Sequence, residues 1–114
     1  MVLVIGGAGS GKRDYVKSLG YADEDIADGL LDGRKVLYDL QNIVFNDPDR
    51  APELLDALLS KEVVVCNEVG SGIVPLSARE RQAREATGRL CIQLAARATR
   101  VVRLVCGIPT VIKE

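Results

Sequence analysis

The sequence predicts an α/β fold with a mainly parallel sheet of about five strands and helices on both faces. Three observations support this: apolar runs rich in β-branched residues are continuous rather than alternating, helical segments separate these runs, and a glycine-rich turn follows the first run. Continuous apolar runs are typical of strands that are buried on both faces. In a sheet of this kind, ligands bind at the carboxyl ends of the strands.

The candidate strands are short apolar segments spread along the whole chain. Four of them are continuous runs that cover residues 2–5, 35–40, 62–66 and 101–106. A shorter segment at residues 110–113 follows a Gly-Ile-Pro turn and is the candidate for an edge strand.

The segments between these runs have helical character. Residues 12–19 end at a glycine, and residues 51–61 place leucines at helical spacing behind a proline. The segment from Ser77 to about residue 100 opens with a Ser-x-x-Glu capping box. Gly88 lies inside this last segment, and we expect it to divide or bend the helix.

Length and composition limit the possible functions. The 114 residues predict one domain, residues 1–114, with a single small core. The formal net charge is −1 and the basic residues are spread out, so the positive surface of a nucleic-acid-binding protein is not expected. No apolar run approaches the length that spans a bilayer, so we expect no membrane partner and a cytoplasmic location.

Histidine is absent from the sequence, which excludes an imidazole as general base or nucleophile. Cys66, Cys91 and Cys106 are odd in number, widely spaced and form no Cys-x-x-Cys pair. This spacing argues against a disulfide framework and against a zinc site. We expect the three thiols to be buried as small apolar side chains.

The turn after the first apolar run has the sequence GGAGSGKR, residues 6–13, called here the phosphate-binding loop. It matches G-x-x-x-x-G-K-[ST] except at the last position. Its glycines let the backbone wrap around an anion, the following helix points amides at it, and the lysine adds a positive charge. The alternative is a turn that only links strand to helix. The predicted nucleotide-binding residues are Gly6, Gly7, Ala8, Gly9, Ser10, Gly11, Lys12 and Arg13.

Arg13 replaces the serine or threonine whose hydroxyl is a Mg²⁺ ligand in such loops, and a guanidinium offers no acceptor to a cation. Three outcomes are open: other groups hold the metal, Arg13 itself partly neutralises the phosphates, or the nucleotide binds without turnover. An Arg13 that has displaced the metal should lie beside Asp39. Otherwise it should point to solvent along the first helical turn.

Carboxylates follow two of the predicted strands. Asp39 ends the second run and is a candidate catalytic group and Mg²⁺ ligand, with a helix or turn cap as the alternative. Glu68 follows the third run on the same ligand edge, where an exposed or capping residue is the alternative. With Lys12, these two acids are the catalytic candidates.

Five motifs occur in a characteristic order: the phosphate-binding loop, VLYDLQNIVFN, VVVCNEVGSGIVP, RQAREATGRL and VVRLVCGIPTVIK. Together they resemble the bifunctional adenosylcobinamide kinase/adenosylcobinamide-phosphate guanylyltransferase family of cobalamin biosynthesis. NEVGSGIVP is the most specific of them, because a phosphate-binding loop alone occurs in many families. The resemblance implies a P-loop fold and phosphorylation of the aminopropanol hydroxyl of adenosylcobinamide by ATP or GTP. GMP is then transferred to that phosphate through a guanylylated histidine.

The resemblance also implies roles for residues outside the loop. It makes Asp39 the acid at the end of a strand. It also implies that the floor of the kinase site, formed by Asn67, Glu68 and Gly70, and the helix with Arg81 and Arg84 contact the substrate. The implied substrate-binding residues are Asn67, Glu68, Gly70, Arg81 and Arg84. Polar or aromatic family residues are replaced around this helix by Ala83, Cys91, Ile92 and Thr99.

The chain lacks a segment that the family carries between the first helix and the strand at residues 35–40. That segment holds a strand, a helix and the guanylylated histidine, and here only residues 21–34 lie in its place. In the strand order that the resemblance implies, residues 35–40 become the new sheet edge. We therefore expect guanylyl transfer to be lost.

Three functions remain open. The first is a kinase that uses ATP or GTP, with Mg²⁺ in question because of Arg13, on a cobinamide-like small molecule. The second is a non-catalytic nucleotide-binding or subunit-interaction protein derived from that enzyme. The third is a P-loop kinase with another acceptor. The resemblance implies a homo-oligomer, a trimer with sites between subunits.

Overall fold

The computed structural model describes residues 1–68 and 77–114. Its strands are β1 (Val2–Gly6), β2 (Ile26–Asp28), β3 (Val36–Tyr38), β4 (Val63–Asn67), β5 (Arg100–Val105) and β6 (Ile108–Lys113). They form one sheet in the order β2-β3-β4-β1-β5-β6, in which all neighbours are parallel except the antiparallel pair β5 and β6. The predicted mainly parallel sheet is confirmed, with six strands, and β6 is the expected edge strand.

The helices are α1 (Lys12–Ser18), α2 (Leu40–Asn46), α3 (Leu55–Leu59) and α4 (Ala78–Arg97), with 3₁₀ segments at Asp23–Asp25 and Pro48–Leu54. On one face of the sheet, α2, α3 and α4 bury Leu40, Leu58 and Leu90 against the strands. On the other face, Val16 of α1 packs on Val4. Helices therefore cover both faces, as predicted, although one face carries most of them.

The strand at residues 35–40 is not a sheet edge, so that expectation is wrong. β2 pairs with β3 in parallel, with Ile26 opposite Val36. Residues 29–35 join the two strands without a helix, whereas a parallel crossover usually needs about a dozen residues or more. The buried Lys61 holds this short connection, because its Nζ donates to the carbonyls of Asp32 and Arg34, the latter at 2.6 Å.

Two predicted elements differ in detail. The run at 35–40 forms strand only as far as Tyr38, because Asp39 takes a left-handed backbone conformation and α2 begins after it. The helix expected at residues 51–61 is 3₁₀ up to Leu54, where Pro48 and Pro52 lie, and α-helical only over α3. A proline has no N–H for a regular α-helical bond, which accounts for the change.

The fourth helix is continuous, so the expected division at Gly88 is wrong. Ser77 is its N-cap, and its Oγ accepts the Glu80 N–H at 3.1 Å, as the capping box predicts. Buried residues lie before and after the glycine, Ala86 and Leu90 among them, and anchor the helix to the sheet. Packing on both sides of Gly88 therefore outweighs the low helix propensity of glycine.

The cysteines occupy three different environments. Cys66 is buried, Cys91 is partly buried, and Cys106 is exposed in the turn between β5 and β6. The expectation of buried thiols is thus wrong for Cys106. Within residues 1–68 and 77–114, no helix combines the length and the apolar character that crossing a membrane requires.

Candidate functional site

The phosphate-binding loop connects β1 to α1 at the carboxyl edge of the sheet. Gly9 and Gly11 have φ of 73° and 92°, in the left-handed region that favours glycine. A Cβ on Gly6 would lie 2.5 Å from Ser10 Oγ and 2.8 Å from the Leu104 carbonyl oxygen. The loop therefore requires glycine at three positions. Gly9 and Gly11 are needed for the left-handed backbone, and Gly6 is needed because a Cβ there would collide with its neighbours.

Lys12 lies inside the loop rather than in solvent. Its side chain is 3% exposed, and Nζ donates to the Gly7 carbonyl at 2.6 Å. Burial lowers the pKa of Lys12, and the nearby charges of Asp39 and Glu68 act in the opposite direction. An ammonium that has lost much of its water gains strongly from an added anion.

Ser10 connects the loop to the turn between β5 and β6. Its carbonyl accepts the N–H of Gly107 at 2.9 Å, so the β5–β6 turn supports the loop from outside. Its hydroxyl is buried, and Oγ has no hydrogen-bond partner among the described residues. This donor is available to a ligand in the loop.

Asp39 follows β3 and has φ 58° and ψ 51°. Left-handed conformations are several-fold enriched for aspartate but still carry a cost, and they cluster at functional sites. Asp39 occupies the N-cap position of α2, yet its side chain makes no capping bond. Its Oδ1 instead accepts Gln41 Nε2 at 3.0 Å, while Gln41 Oε1 accepts the Asn67 N–H at 3.0 Å. Asp39 therefore occupies the helix-cap position that the alternative predicts, but its side chain does not form the capping hydrogen bond.

Asp28 is a third acid at this edge, at the carboxyl end of β2 next to β3. Loss of water around its carboxylate, a hydrogen bond to the Asp39 carboxyl and the charge of Asp39 raise the pKa of Asp28, and the charge of Arg13 opposes them. Sequence reasoning missed this residue because it missed β2.

Arg13 follows neither of the two expected courses. Its Nη2 lies 3.3 Å from Asp23 Oδ1, and its guanidinium stands over the Tyr38 ring at 5.5 Å. Lys17 pairs with the same carboxylate at 2.9 Å. The two cations lower the pKa of Asp23 through hydrogen bonds, that of Lys17 first. The guanidinium is therefore held at the segment before β2 rather than at Asp39.

Glu68, which follows β4, is tied to the neighbouring strand β1 and to β5 on the far side of β1. Its N–H donates to the Gly6 carbonyl at 2.9 Å. Its carboxylate forms a two-point pair with Arg103, Nε to Oε1 at 2.5 Å and Nη2 to Oε2 at 3.1 Å. The pair raises the pKa of Arg103 through these hydrogen bonds. Glu68 is thus fixed beside the loop, and Arg103 is a site neighbour to which the sequence motifs assigned no role.

The implied substrate residues are only partly brought together. Asn67 ends β4 beside Glu68. Arg81 and Arg84 lie in the first turns of α4, exposed and half-buried, and within the described residues neither side chain makes a hydrogen bond or ion pair. Gly70 falls outside the described residues.

Two cavities flank the loop. One of about 270 Å³ lies between residues 9–14 and Tyr38. The other, of about 330 Å³, lies between residues 7–10, Glu68, Arg103 and the end of β5. The loop therefore has open space on the side of Tyr38 and on the side of Glu68 and β5.

Comparison with known proteins gives the family. A sequence profile described as "Cobinamide kinase / cobinamide phosphate guanyltransferase" matches residues 34–112, a range that carries Asp39 and Glu68 and begins after the phosphate-binding loop. The chain is also 50% identical over 54 residues to the "Bifunctional adenosylcobalamin biosynthesis protein CobU" of Escherichia coli (strain K12). This alignment covers 47% of the chain and 30% of that relative. The chain therefore belongs to the cobinamide kinase/cobinamide phosphate guanyltransferase family, and the P-loop α/β fold expected from the sequence is confirmed.

Proposed function

We propose that the protein binds ATP or GTP in the phosphate-binding loop and transfers the terminal phosphoryl group to the hydroxyl of a cobinamide-like alcohol. The observation that carries the proposal is the buried Lys12, which lies within the electrostatic reach of Asp39 and Glu68 at one edge of the sheet. Family membership supports the same substrate class.

The loop offers a nucleotide three kinds of donor. Its backbone amides follow the left-handed glycines 9 and 11, Ser10 holds an unpaired hydroxyl, and Lys12 holds a poorly hydrated charge. α1 is only seven residues long, so its dipole is a small contribution. Phosphate affinity must therefore come mainly from the amides and from Lys12.

The residues at the strand ends fit Mg²⁺. This ion takes oxygen ligands and is usually held by one or two carboxylates together with the substrate phosphates. Asp39 uses only Oδ1 for Gln41, and Asp28 lies beside it. The guanidinium of Arg13 is directed to Asp23, so it does not neutralise the Asp39 carboxylate by direct contact. Bound Mg²⁺ would neutralise charge on the phosphates.

Phosphoryl transfer requires positioning more than covalent chemistry. The acceptor oxygen attacks the terminal phosphorus, the bond to the leaving diphosphate oxygen breaks, and the hydroxyl proton must pass to a base. Glu68 is our candidate for accepting that proton or orienting the hydroxyl, because the Arg103 pair fixes its carboxylate beside the loop.

Guanylyl transfer is not part of the proposal. The chain has no histidine. In the segment where the resemblance implies the guanylylated histidine, the chain instead has β2 and its short connection to β3. As the family resemblance implies, we also propose a homo-oligomer, a trimer.

A non-catalytic nucleotide-binding or subunit-interaction protein is the second candidate. Arg13 favours it, because the chain lacks the hydroxyl that would help to hold a metal. A P-loop kinase with a different acceptor would share the loop and the acids, and only the acceptor assay separates it from the first candidate.

Calorimetry with ATP and GTP, with and without Mg²⁺, tests binding, and transfer of labelled phosphate to adenosylcobinamide tests the reaction. Lys12→Ala should weaken nucleotide affinity by at least about tenfold, as loss of a charge-assisted contact does. Lys17→Ala, which removes an exposed lysine of the same helix, is the matched control and should bind normally. Equal affinity in Lys12→Ala and wild type would show that the loop is only a turn. Binding that gains nothing from Mg²⁺, without transfer, would favour the second candidate.

A further inference from the structure

We propose that Gln41 is a positioning residue that holds the Asp39 carboxylate in the orientation needed for the metal of a bound metal–nucleotide complex. The inference rests on the proposed function, because it assumes a nucleotide in the phosphate-binding loop. It concerns a residue to which the sequence motifs assigned no role.

The orientation of Gln41 is determined by its partners. The residue is more than nine-tenths buried, at 9% exposure. The backbone N–H of Asn67 can only donate, so the oxygen of the Gln41 amide must face it. The amide nitrogen is then the end that faces Asp39 Oδ1, and a carboxylate can only accept. Both assignments agree, which leaves one arrangement of the side chain.

Gln41 thereby connects the ends of two parallel strands. Asp39 follows β3 and Asn67 ends β4, and β4 in turn pairs with β1, which leads into the phosphate-binding loop. Gln41 therefore fixes the Asp39 carboxylate relative to β4, the strand that pairs with β1 beside the loop. Asp39 makes no helix-capping bond that could hold it instead.

The contact also makes the two oxygens of Asp39 different. Oδ1 accepts the Gln41 amide, so Oδ2 keeps more acceptor capacity for a ligand than Oδ1 does.

The requirement is stronger in this chain than in a loop with the usual hydroxyl. Arg13 supplies no oxygen at the position after the lysine, so a larger share of metal placement falls on Asp39. Gln41 would act through Asp39 and would not touch the metal or the nucleotide.

Gln41→Met keeps the length of the side chain and removes both hydrogen bonds. Calorimetry with ATP or GTP measures its affinity with and without Mg²⁺, and thermal unfolding confirms that the variant folds. We expect metal-free affinity to stay within about twofold of wild type and the affinity gained on adding Mg²⁺ to fall by about tenfold, the scale of a lost positioning contact. Gln82→Met removes a Gln–Asp hydrogen bond of the same kind on α4, at Asp49, and should keep the full gain.

A double-mutant cycle with Asp39→Asn separates positioning from a purely structural role. Asp39→Asn should abolish most of the Mg²⁺ gain, and adding Gln41→Met should then change that gain no further. An unaltered Mg²⁺ gain in Gln41→Met overturns the inference, as does a wild-type protein that binds nucleotide with no Mg²⁺ gain, and both leave nucleotide binding intact. A wild-type protein that binds no nucleotide at all overturns the proposed function itself.

Discussion

Arg13 and Asp23 form an ion pair at 3.3 Å that joins the phosphate-binding loop to the segment leading into β2. The same segment carries Asp28 to the side of Asp39. Residues 21–34 therefore do more than bridge a gap in the chain. They supply the partner of the unusual arginine and a third acid at the carboxyl edge.

Nucleotide affinity should fall in alkaline solution because of Lys12. Burial lowers the pKa of the free protein's lysine, and bound phosphates must raise it, because they stabilise the ammonium. Binding therefore takes up a proton once the pH exceeds the free-state pKa, and affinity falls as the pH rises further. The onset should lie below the range of a solvent-exposed lysine. Calorimetry in two buffers of different ionisation enthalpy measures the uptake.

The control for this pH dependence is Lys12→Met, which has no proton to gain. Its weaker residual binding should show no proton uptake over the same pH range. Equal uptake in the variant and in wild type would assign the effect to another group.

Guanylylation should be absent. Incubation with GTP labelled in the α-phosphate, followed by denaturation and desalting at alkaline pH and by mass analysis, should leave no nucleotide on the protein, because the chain contains no histidine to form a phosphoramidate. The E. coli relative, treated in parallel, serves as the positive control. A stoichiometric acid-labile adduct on this chain would show that another side chain has taken over the step.

Lys61→Met should destabilise the protein through the short connection between β2 and β3. The buried ammonium donates to the carbonyls of Asp32 and Arg34, and hydrogen bonds that involve a charged group contribute about 1.5–3 kcal/mol. Urea unfolding measures the difference. Lys35→Met, which removes an exposed lysine at the end of the same connection, should change the free energy of unfolding much less. Equal losses of unfolding free energy in the two variants would mean that the hydrogen bonds of Lys61 do not stabilise the connection.

The strands at the centre of the sheet were predictable because their signal is local. β1 and β4 are buried on both faces, so their apolar runs are continuous. β2 was missed because Ile26 and Ala27 are its only buried residues, and pairing with β3 rather than local pattern makes it a strand. The end of β3 was misplaced because the left-handed backbone of Asp39 starts α2 earlier than the run suggests.

The site divides in the same way. The phosphate-binding loop is a local motif, and its glycines and lysine could be identified from spacing alone. Asp28, Gln41 and Arg103 come to the site through strand pairing and cross-strand hydrogen bonds, which no sequence spacing encodes. Arg13 was noticed as a departure from the motif, but its partner lies in a 3₁₀ segment that the sequence did not predict.

Arg13→Ser tests whether the loop can regain a metal ligand. The substitution restores a hydroxyl after the lysine, and it releases Asp23 and the Tyr38 ring from the guanidinium. We expect the affinity gained on adding Mg²⁺ to increase by about tenfold, and any phosphotransfer to rise with it, because metal placement is a main source of rate in this chemistry. Arg13→Ala is the matched control, since it removes the same guanidinium without adding an oxygen. An increase in Arg13→Ser alone assigns the effect to the hydroxyl, whereas equal increases in both variants would show that the arginine had obstructed the metal. No change in either variant, together with full Mg²⁺-dependent turnover by the wild type, would mean that Asp39 and its neighbours hold the metal without help from this position.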